Sequence, residues 1–341
     1  MVRVEACQNP VAWDRYVESQ ANACNYQRWG WQDVIHSTFG HEAHYLWASN
    51  NGAILGVLPL FSVRSRLFGN SLVSVPFFTY GGLLSESQEA TDALLLRASE
   101  LGQELKATRV EIRQGTELKS DWNPVSSKVT MEIALPSTPE ELWRRFSTGL
   151  RNKIRKGQKS QFRVEWTQAD GVKNFYEVFA ANMRNLGTPV YPMKWFESIC
   201  RGFPGQIHIM SLWEGDRVVA SAFLSAYRDT LELPWSASLP DTRKSYSHYM
   251  MYWSFLEWAI QKGYRRLDLG RCTKGSGTYE FKRHWICEEL PLHWYYWLAP
   301  GSGLPETCPD NPRYHLAIEM WKRLPLIVAN QLGPRIVRGL P

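Results

Sequence analysis

Apolar and polar positions along this chain fall into a repeated order of hairpin, helix and strand. Residues 43–63 alternate in polarity on either side of Asn50-Asn51-Gly52, which predicts a β-hairpin turning at those three residues. A strand over 72–75 follows, then a glycine-containing loop, PFFTYGGLL, over 76–84. The pattern next predicts a helix over 88–105 and strands over 108–113 and 128–135. Two helices precede the hairpin, over 10–20 and 26–39, the second packing Trp29, Trp31, Val34 and Ile35 on a sheet.

The second half runs through the same order. Residues 208–227 form a hairpin turning at 214–217, residues 231–238 a strand, and residues 245–262 a helix. Tyr252, Phe255, Leu256 and Ala259 make the apolar stripe of that helix, and Gly263 stops it as a C-cap. Leu267 and Leu269 then alternate with Arg266, Asp268 and Gly270 in a half-buried strand, and Gly270 releases the chain into a basic glycine loop. Gly52 and Gly215 are 163 residues apart, Pro76 and Pro234 are 158 apart, and Val110 and Leu267 are 157 apart. A nearly constant offset across three elements points to a duplicated fold.

Between the halves, Ser137-Thr138-Pro139-Glu140 marks a helix start. On that helix Leu142, Trp143, Phe146, Leu150 and Ile154 form an apolar face, and Arg144, Arg151, Arg155 and Lys159 point roughly the opposite way. The net charge of +6 resides here: residues 142–164 hold eight Lys or Arg and no acid, and the rest of the chain has 31 basic against 33 acidic residues. At the other end, the Pro and Gly of LPLIVANQLGPRIVRGLP favour a packed tail after a helix over 314–323, with a membrane-surface role as the lesser reading.

Length and composition narrow the class. A chain of 341 residues exceeds one typical domain and predicts two. Its 16 Trp and 15 Tyr suit either broad clefts or two aromatic cores. The N-terminus MVRVEACQNP lacks the apolar run of a signal peptide, and no apolar stretch nears the roughly 20 residues of a membrane span. Six cysteines without CxxC spacing predict reduced thiols in the cytoplasm. His41 and His44 come closest to ligand spacing, but no third ligand accompanies them and no metal is expected.

Three segments together resemble the FemAB-like acyltransferases, most closely the branch associated with exosortase (PEP-CTERM) and exopolysaccharide gene clusters. They are SLVSVPFFTYGGLL (71–84), RNKIRKGQKSQF (151–162), and the run over 231–297 that contains DLGRCTKGSGTYEFKRHW and PLHWYYW. The resemblance implies an α/β (mixed α+β) chain of two GNAT-like domains, each a mixed sheet flanked by helices. The first spans 1–135, with a C-terminal helix over 312–341 packing back on it; the second spans 136–298 and is followed by a linker over 299–311. Better-known relatives move amino acids from aminoacyl-tRNA onto the peptide of a peptidoglycan precursor. The implied acceptor is therefore a cell-envelope or glycan precursor, met in the cytoplasm or at the inner face of the membrane. The chain is expected to act as a monomer, with no DNA partner and no tightly bound cofactor. Its acyl donor is either aminoacyl-tRNA or acyl-CoA. The tRNA donor is in doubt, because the long helical hairpin of some relatives is missing. A non-catalytic module of the same scaffold, binding RNA or an anionic glycan through its basic helix, is the alternative.

Direct transfer of an acyl group to an amine needs alignment, proton removal and oxyanion stabilisation. The coenzyme A loop R/Q-x-x-G-x-G/A is missing from residues 238–251, and its nearest match, Arg271 to Gly277, has one residue too many and follows a different strand. A Fem-like donor therefore ranks above acetyl-CoA. Lys282 matches the Fem lysine near the reacting groups; it either stabilises developing negative charge or is a surface lysine. Asp268 either accepts the amine proton or pairs with Arg266 or Arg271. Arg184, with Tyr191 beside it, is a clamp for an acidic acceptor or a helix-end ion pair. Tyr80 faces the cleft or fills a core gap. Arg271, Lys274 and Tyr279 complete the expected substrate wall. Arg151, Arg155 and Lys159 engage donor phosphates or form a solvated helix face.

Overall fold

A computed structural model describes residues 1–65, 68–125, 128–304 and 312–340. The elements in chain order begin with β1 (Arg3–Ala6), α1 (Pro10–Ser19), α2 (Trp31–Phe39), β2 (Glu42–Asn50), β3 (Ala53–Ser65), β4 (Gly69–Val73) and β5 (Leu84–Ser85). Next come α3 (Gln88–Glu104), β6 (Arg109–Gln114), β7 (Asn123–Val125), β8 (Lys128–Ala134), α4 (Pro139–Arg145), α5 (Thr148–Lys159) and β9 (Arg163–Thr167). Then follow α6 (Val172–Leu186), α7 (Met193–Gly202), β10 (Ile207–Glu214), β11 (Arg217–Tyr227), β12 (Thr230–Ser238) and α8 (Ser247–Gln261). The chain closes with β13 (Arg266–Thr273), α9 (Gly277–Arg283), β14 (Glu288–Pro291), β15 (His293–Leu298), α10 (Pro312–Lys322) and α11 (Leu326–Val337).

Two sheets result. One runs β1-β2-β3-β4-β6-β15-β7, with β5 paired to β3; the other runs β9-β10-β11-β12-β13-β8-β14. The orders correspond strand for strand. Each also holds a parallel pair at the same place, β4 with β6 and β12 with β13. The duplication anticipated from three spaced residues is thus a property of both sheets, and each hairpin turns where the polarity pattern placed it.

The units are not contiguous in sequence. One comprises Met1–Ser127, Pro291–Cys308 and Arg335–Pro341, the other Lys128–Leu290 and Pro309–Pro334. Boundaries at 135 and 298 are therefore corrected: β8, read as the end of the first half, lies between β13 and β14, and β15, read as the end of the second, pairs with β6. Hydrogen bonding decides this. Val129, Met131 and Ile133 of β8 face the second core, and β13 offers them a free edge. The tail is corrected likewise, since α10 packs on α6, with Ile318 against the left-handed Gly187 that ends α6. Part of the expected linker, residues 305–311, lies outside the described residues.

The basic segment is two helices rather than one. Phe146 leaves the helical conformation, and Ser147 caps a new start by accepting the Leu150 N–H at 3.2 Å. Its apolar face is as read: Leu142, Phe146, Leu150 and Ile154 are buried in the second core. The aromatic content serves the cores, where Trp13, Trp31, Trp195 and Trp285 are completely enclosed. α5 crosses α8 closely at Gly157, where an added Cβ would lie 3.0 Å from the Tyr246 carbonyl oxygen.

Two expectations follow. Gly157→Leu should lower stability by about 1–3 kcal/mol, whereas Gly149→Ala, in the open first turn of the same helix, should raise it by up to about 1 kcal/mol. Chemical denaturation reads both, and equal effects would contradict the crossing. In the first unit, burial holds the His41 imidazole down at about 4, with the Arg338 guanidinium adding to the effect. A histidine depressed when folded binds fewer protons than it does unfolded, so stability should fall as pH drops from about 6.5 towards 4, by up to about 3 kcal/mol. His41→Gln should flatten that slope; an unchanged slope would assign it to other groups.

Candidate active site

The site is built where the second sheet stops being a sheet. β12 and β13 pair in parallel only at Thr230/Arg266, Leu231/Leu267 and Glu232/Asp268. The alternating leucines hold this much together, because Leu231, Leu233, Leu267 and Leu269 all enter the core. Beyond Asp268, β13 bulges, and Gly270 takes φ +78°, a left-handed conformation that favours glycine. The two strands part there and leave a wedge.

Both residues singled out for chemistry converge on that bulge. Asp268 is 3% exposed, and its Oδ1 accepts from the Gly270 N–H at 2.7 Å and from the Thr130 hydroxyl at 2.6 Å. Lys282 is 4% exposed, and its Nζ donates to the Gly270 carbonyl at 2.7 Å and to the Arg271 carbonyl at 3.2 Å. The Gly270 residue is thereby clamped from both ends. Lys282 is not a surface lysine, and Arg266 pairs with Asp229 at 3.1 Å rather than serving Asp268.

Burial pushes the Lys282 ammonium down from its ordinary pKa, and the nearby Cys272, Asp268 and Cys287 work against that shift. An ammonium has three N–H groups, and two of Lys282's go to the bulge. The third is available to a reacting carbonyl. Lys282 sits on α9, a seven-residue helix that the sequence pattern assigns to a loop; Ser276 caps it by accepting the Tyr279 N–H. Phe281 and Trp285 pack it on Tyr252 of α8, at 4.9 and 5.2 Å between ring centroids. The Cys287 thiol, donating to the Lys282 carbonyl at 2.9 Å, is pushed up to about 11 by burial.

Some neighbours of the wedge carry no motif. Glu232 and Glu132 stand on either side of Asp268 in the strand register, making a row of three carboxylates across β12, β13 and β8. Burial raises the Glu132 carboxyl, the Arg266 charge opposes this, and Asp268 adds to it. The signal was present in LEL and LDL, where an acid between buried leucines must point to the other face. Trp235, further along β12, meets Tyr191 edge-on at 5.8 Å, and Tyr191 also stacks near Trp195 at 6.1 Å.

The remaining expected residues are dispersed. Arg184 donates to the Lys322 carbonyl at 3.2 Å, so it caps the last turn of α10 and secures that helix to α6. This is a helix-end role, although the partner is a carbonyl rather than an acid. Tyr279 donates to Glu289 at 2.7 Å, and Lys274 pairs with the same carboxylate at 3.5 Å; Arg271 is exposed. Tyr80 belongs to the first unit, edge-on to Tyr26 at 5.7 Å. On α5, Arg151 donates to Thr148 and Arg155 to Asn152, with Arg155 also over the Trp143 ring, while Lys159 is exposed. Two cations that were not singled out lie closer to α8. Lys156 reaches the Tyr246 hydroxyl at 3.4 Å and Lys153 lies over the Tyr249 ring at 5.1 Å, beside an α8 N-terminus that no side chain caps.

The corresponding place in the first unit is closed. After β4 and β6 part at Val73/Glu111, Ser74 donates to the Glu111 carbonyl and Gly82 to the Arg113 carbonyl, both at 2.9 Å. Arg113 donates to the Phe78 carbonyl and to Glu111, and lies 4.5 Å over Trp294. The PFFTYGG loop fills the first wedge with its own backbone.

Sheet order, a single parallel pair and the wedge behind it define the architecture. The chain has a tandem GNAT-like fold. Residues 144–283 match the family model of the acetyltransferase (GNAT) domain, which covers the wedge, α5 and α8. FemX superposes with a TM-score of 0.67 at 16% identity, over 93% of this chain and 100% of FemX. L-PGS from Bacillus licheniformis gives 0.54 at 11% identity, over 96% of this chain and 98% of that one. A tandem GNAT protein from the clavulanic acid biosynthesis pathway gives 0.53 at 9%, over 88% and 98%. No curated protein sequence matches the chain.

If the clamp shapes the wedge, Gly270→Ala and Lys282→Met should both lower turnover, by at least about tenfold. Thr130→Val, which removes one of two bonds to Asp268, should cost about 1 kcal/mol of stability and leave turnover within a few-fold. Steady-state transfer rates with thermal melting separate the effects; full activity in Lys282→Met would remove the lysine from the site.

Proposed function

We propose that the protein is an acyltransferase whose reaction takes place in the wedge between β12 and β13. A primary amine on the acceptor attacks the acyl carbonyl of the donor. The C–N bond forms, the acyl–oxygen or acyl–sulfur bond breaks, and the amine proton leaves for the medium or the departing group. The third N–H of Lys282 meets the oxyanion, and Asp268 and Gly270 fix the bulge that aims it. The acidic row of Glu232, Asp268 and Glu132 favours a cationic or amine-bearing acceptor at the wedge, with Tyr191 and Trp235 as apolar walls.

The observation that carries this reading is the asymmetry between the units. The same parting of strands occurs twice, is plugged by backbone in the first unit, and in the second borders an uncapped α8 N-terminus crossed by a basic helix. A helix N-terminus with Lys153, Lys156 and Arg155 beside it suits a phosphate-bearing donor. Acyl-CoA agrees with the GNAT match, and aminoacyl-tRNA with the FemAB-like motifs. The acceptor class, a peptidoglycan-like or exopolysaccharide precursor, follows from those motifs.

Mass spectrometry of ligands retained through native purification, followed by transfer assays with acyl-CoA and with charged tRNA, tests the proposal. A mass gain on an amine acceptor is expected with one donor class. Lys153→Ala/Lys156→Ala should raise the donor KM at least about tenfold with kcat within about threefold. Tight binding of RNA or glycan without turnover on any donor would instead make the chain a non-catalytic module.

A further inference from the structure

A second cleft lies at the opposite end of α8. It has a volume of about 660 Å³ and is lined by Trp166, His208, Trp258 and Tyr264, with Gln168, Asp170 and Lys262 among its polar residues. α8 is 15 residues long, so about 20 Å separates this end from the end met by the basic helix. The rings form a continuous half-buried surface. Trp166 stacks on Trp258 at 4.2 Å and 17°, Tyr264 lies nearly parallel to Trp258 at 6.0 Å, and His208 is tilted at 4.8 Å. None of these contacts belongs to the wedge.

We infer that this cleft is a saccharide-binding site. Stacked rings that remain half-exposed present flat apolar faces, which match the axial C–H faces of a pyranose. Around them stand groups suited to hydroxyls: the Gln168 amide, the Asp170 carboxylate and the Lys262 ammonium. Burial, helped by Lys262, keeps the His208 imidazole on the neutral side of its ordinary range, so the ring floor carries no charge of its own. Lys262 lies 5.9 Å over the Trp258 ring, occupying the position a cationic ligand would need. A nucleobase would require a slot between two rings, and the 4.2 Å stack of Trp166 on Trp258 leaves none. The inference deepens the proposed function, on which it rests for its purpose: the cleft would hold a distant part of a glycan-bearing acceptor.

Titration of the whole chain with neutral hexose, N-acetylhexosamine and uronic acid oligomers, read by the indole resonances of Trp166 and Trp258, tests it directly. At least one oligomer should bind with a Kd below about 5 mM. Gln168→Ala/Lys262→Ala should weaken that binding at least about tenfold while melting like the wild type, and Trp258→Ala should abolish it. No response up to about 20 mM, equal affinity in the rim variant, or a response to AMP in place of sugars overturns the inference. The assay contains no acyl donor, so its failure leaves the transfer reading intact, and an inactive transferase leaves saccharide binding intact.

Discussion

The left-handed residue Gly270 constrains everything in the second unit that bears on chemistry. A parallel pair with regular hydrogen bonding would close β12 against β13 and leave nowhere for a substrate to lie. The chain prevents this with one glycine conformation, held by a buried carboxylate on its N–H and a buried ammonium on its carbonyl. Both charges are enclosed, and each finds compensation in backbone dipoles. A substitution at either would therefore change the shape of the wedge as well as any direct contact with substrate.

The duplication shows the alternative outcome. In the first unit the strands part at the equivalent register, yet the loop that follows β4 stays bonded to β6 and an arginine is buried within it. The two copies have taken different roles on one topology: a filled wedge stabilises, and an open one leaves room for a ligand. GNAT-like architecture alone could not assign these roles; the backbone hydrogen bonds behind each parallel pair do.

Much of this was legible in the sequence. Helix α3, both hairpins and the strand with Leu267 and Leu269 lie where the polarity pattern puts them, because each buries one face against a core. Strand exchange was hidden, since the alternation of β8 and β15 says which face is buried but not which sheet edge is vacant. Ser147 was a cap within an otherwise unbroken apolar stripe, so one helix was read where two exist. Lys282 was placed at the site through family likeness, whereas its burial depends on Phe281 and Trp285 packing on α8, a contact between residues distant in the chain. The ring cluster at Trp258 draws on β9, β10, α8 and the turn after it, and no local window contains it.

The exchanged strands also govern how the chain can fold. β6 must wait for β15, which lies about 180 residues later, and loop closure over that distance is slow. On the ribosome the first unit therefore emerges with an unpaired edge at β6 and stays incomplete until nearly the whole chain has been synthesised. The second unit receives β8 first and can finish its sheet sooner, so the half of the protein made last is the half able to fold first.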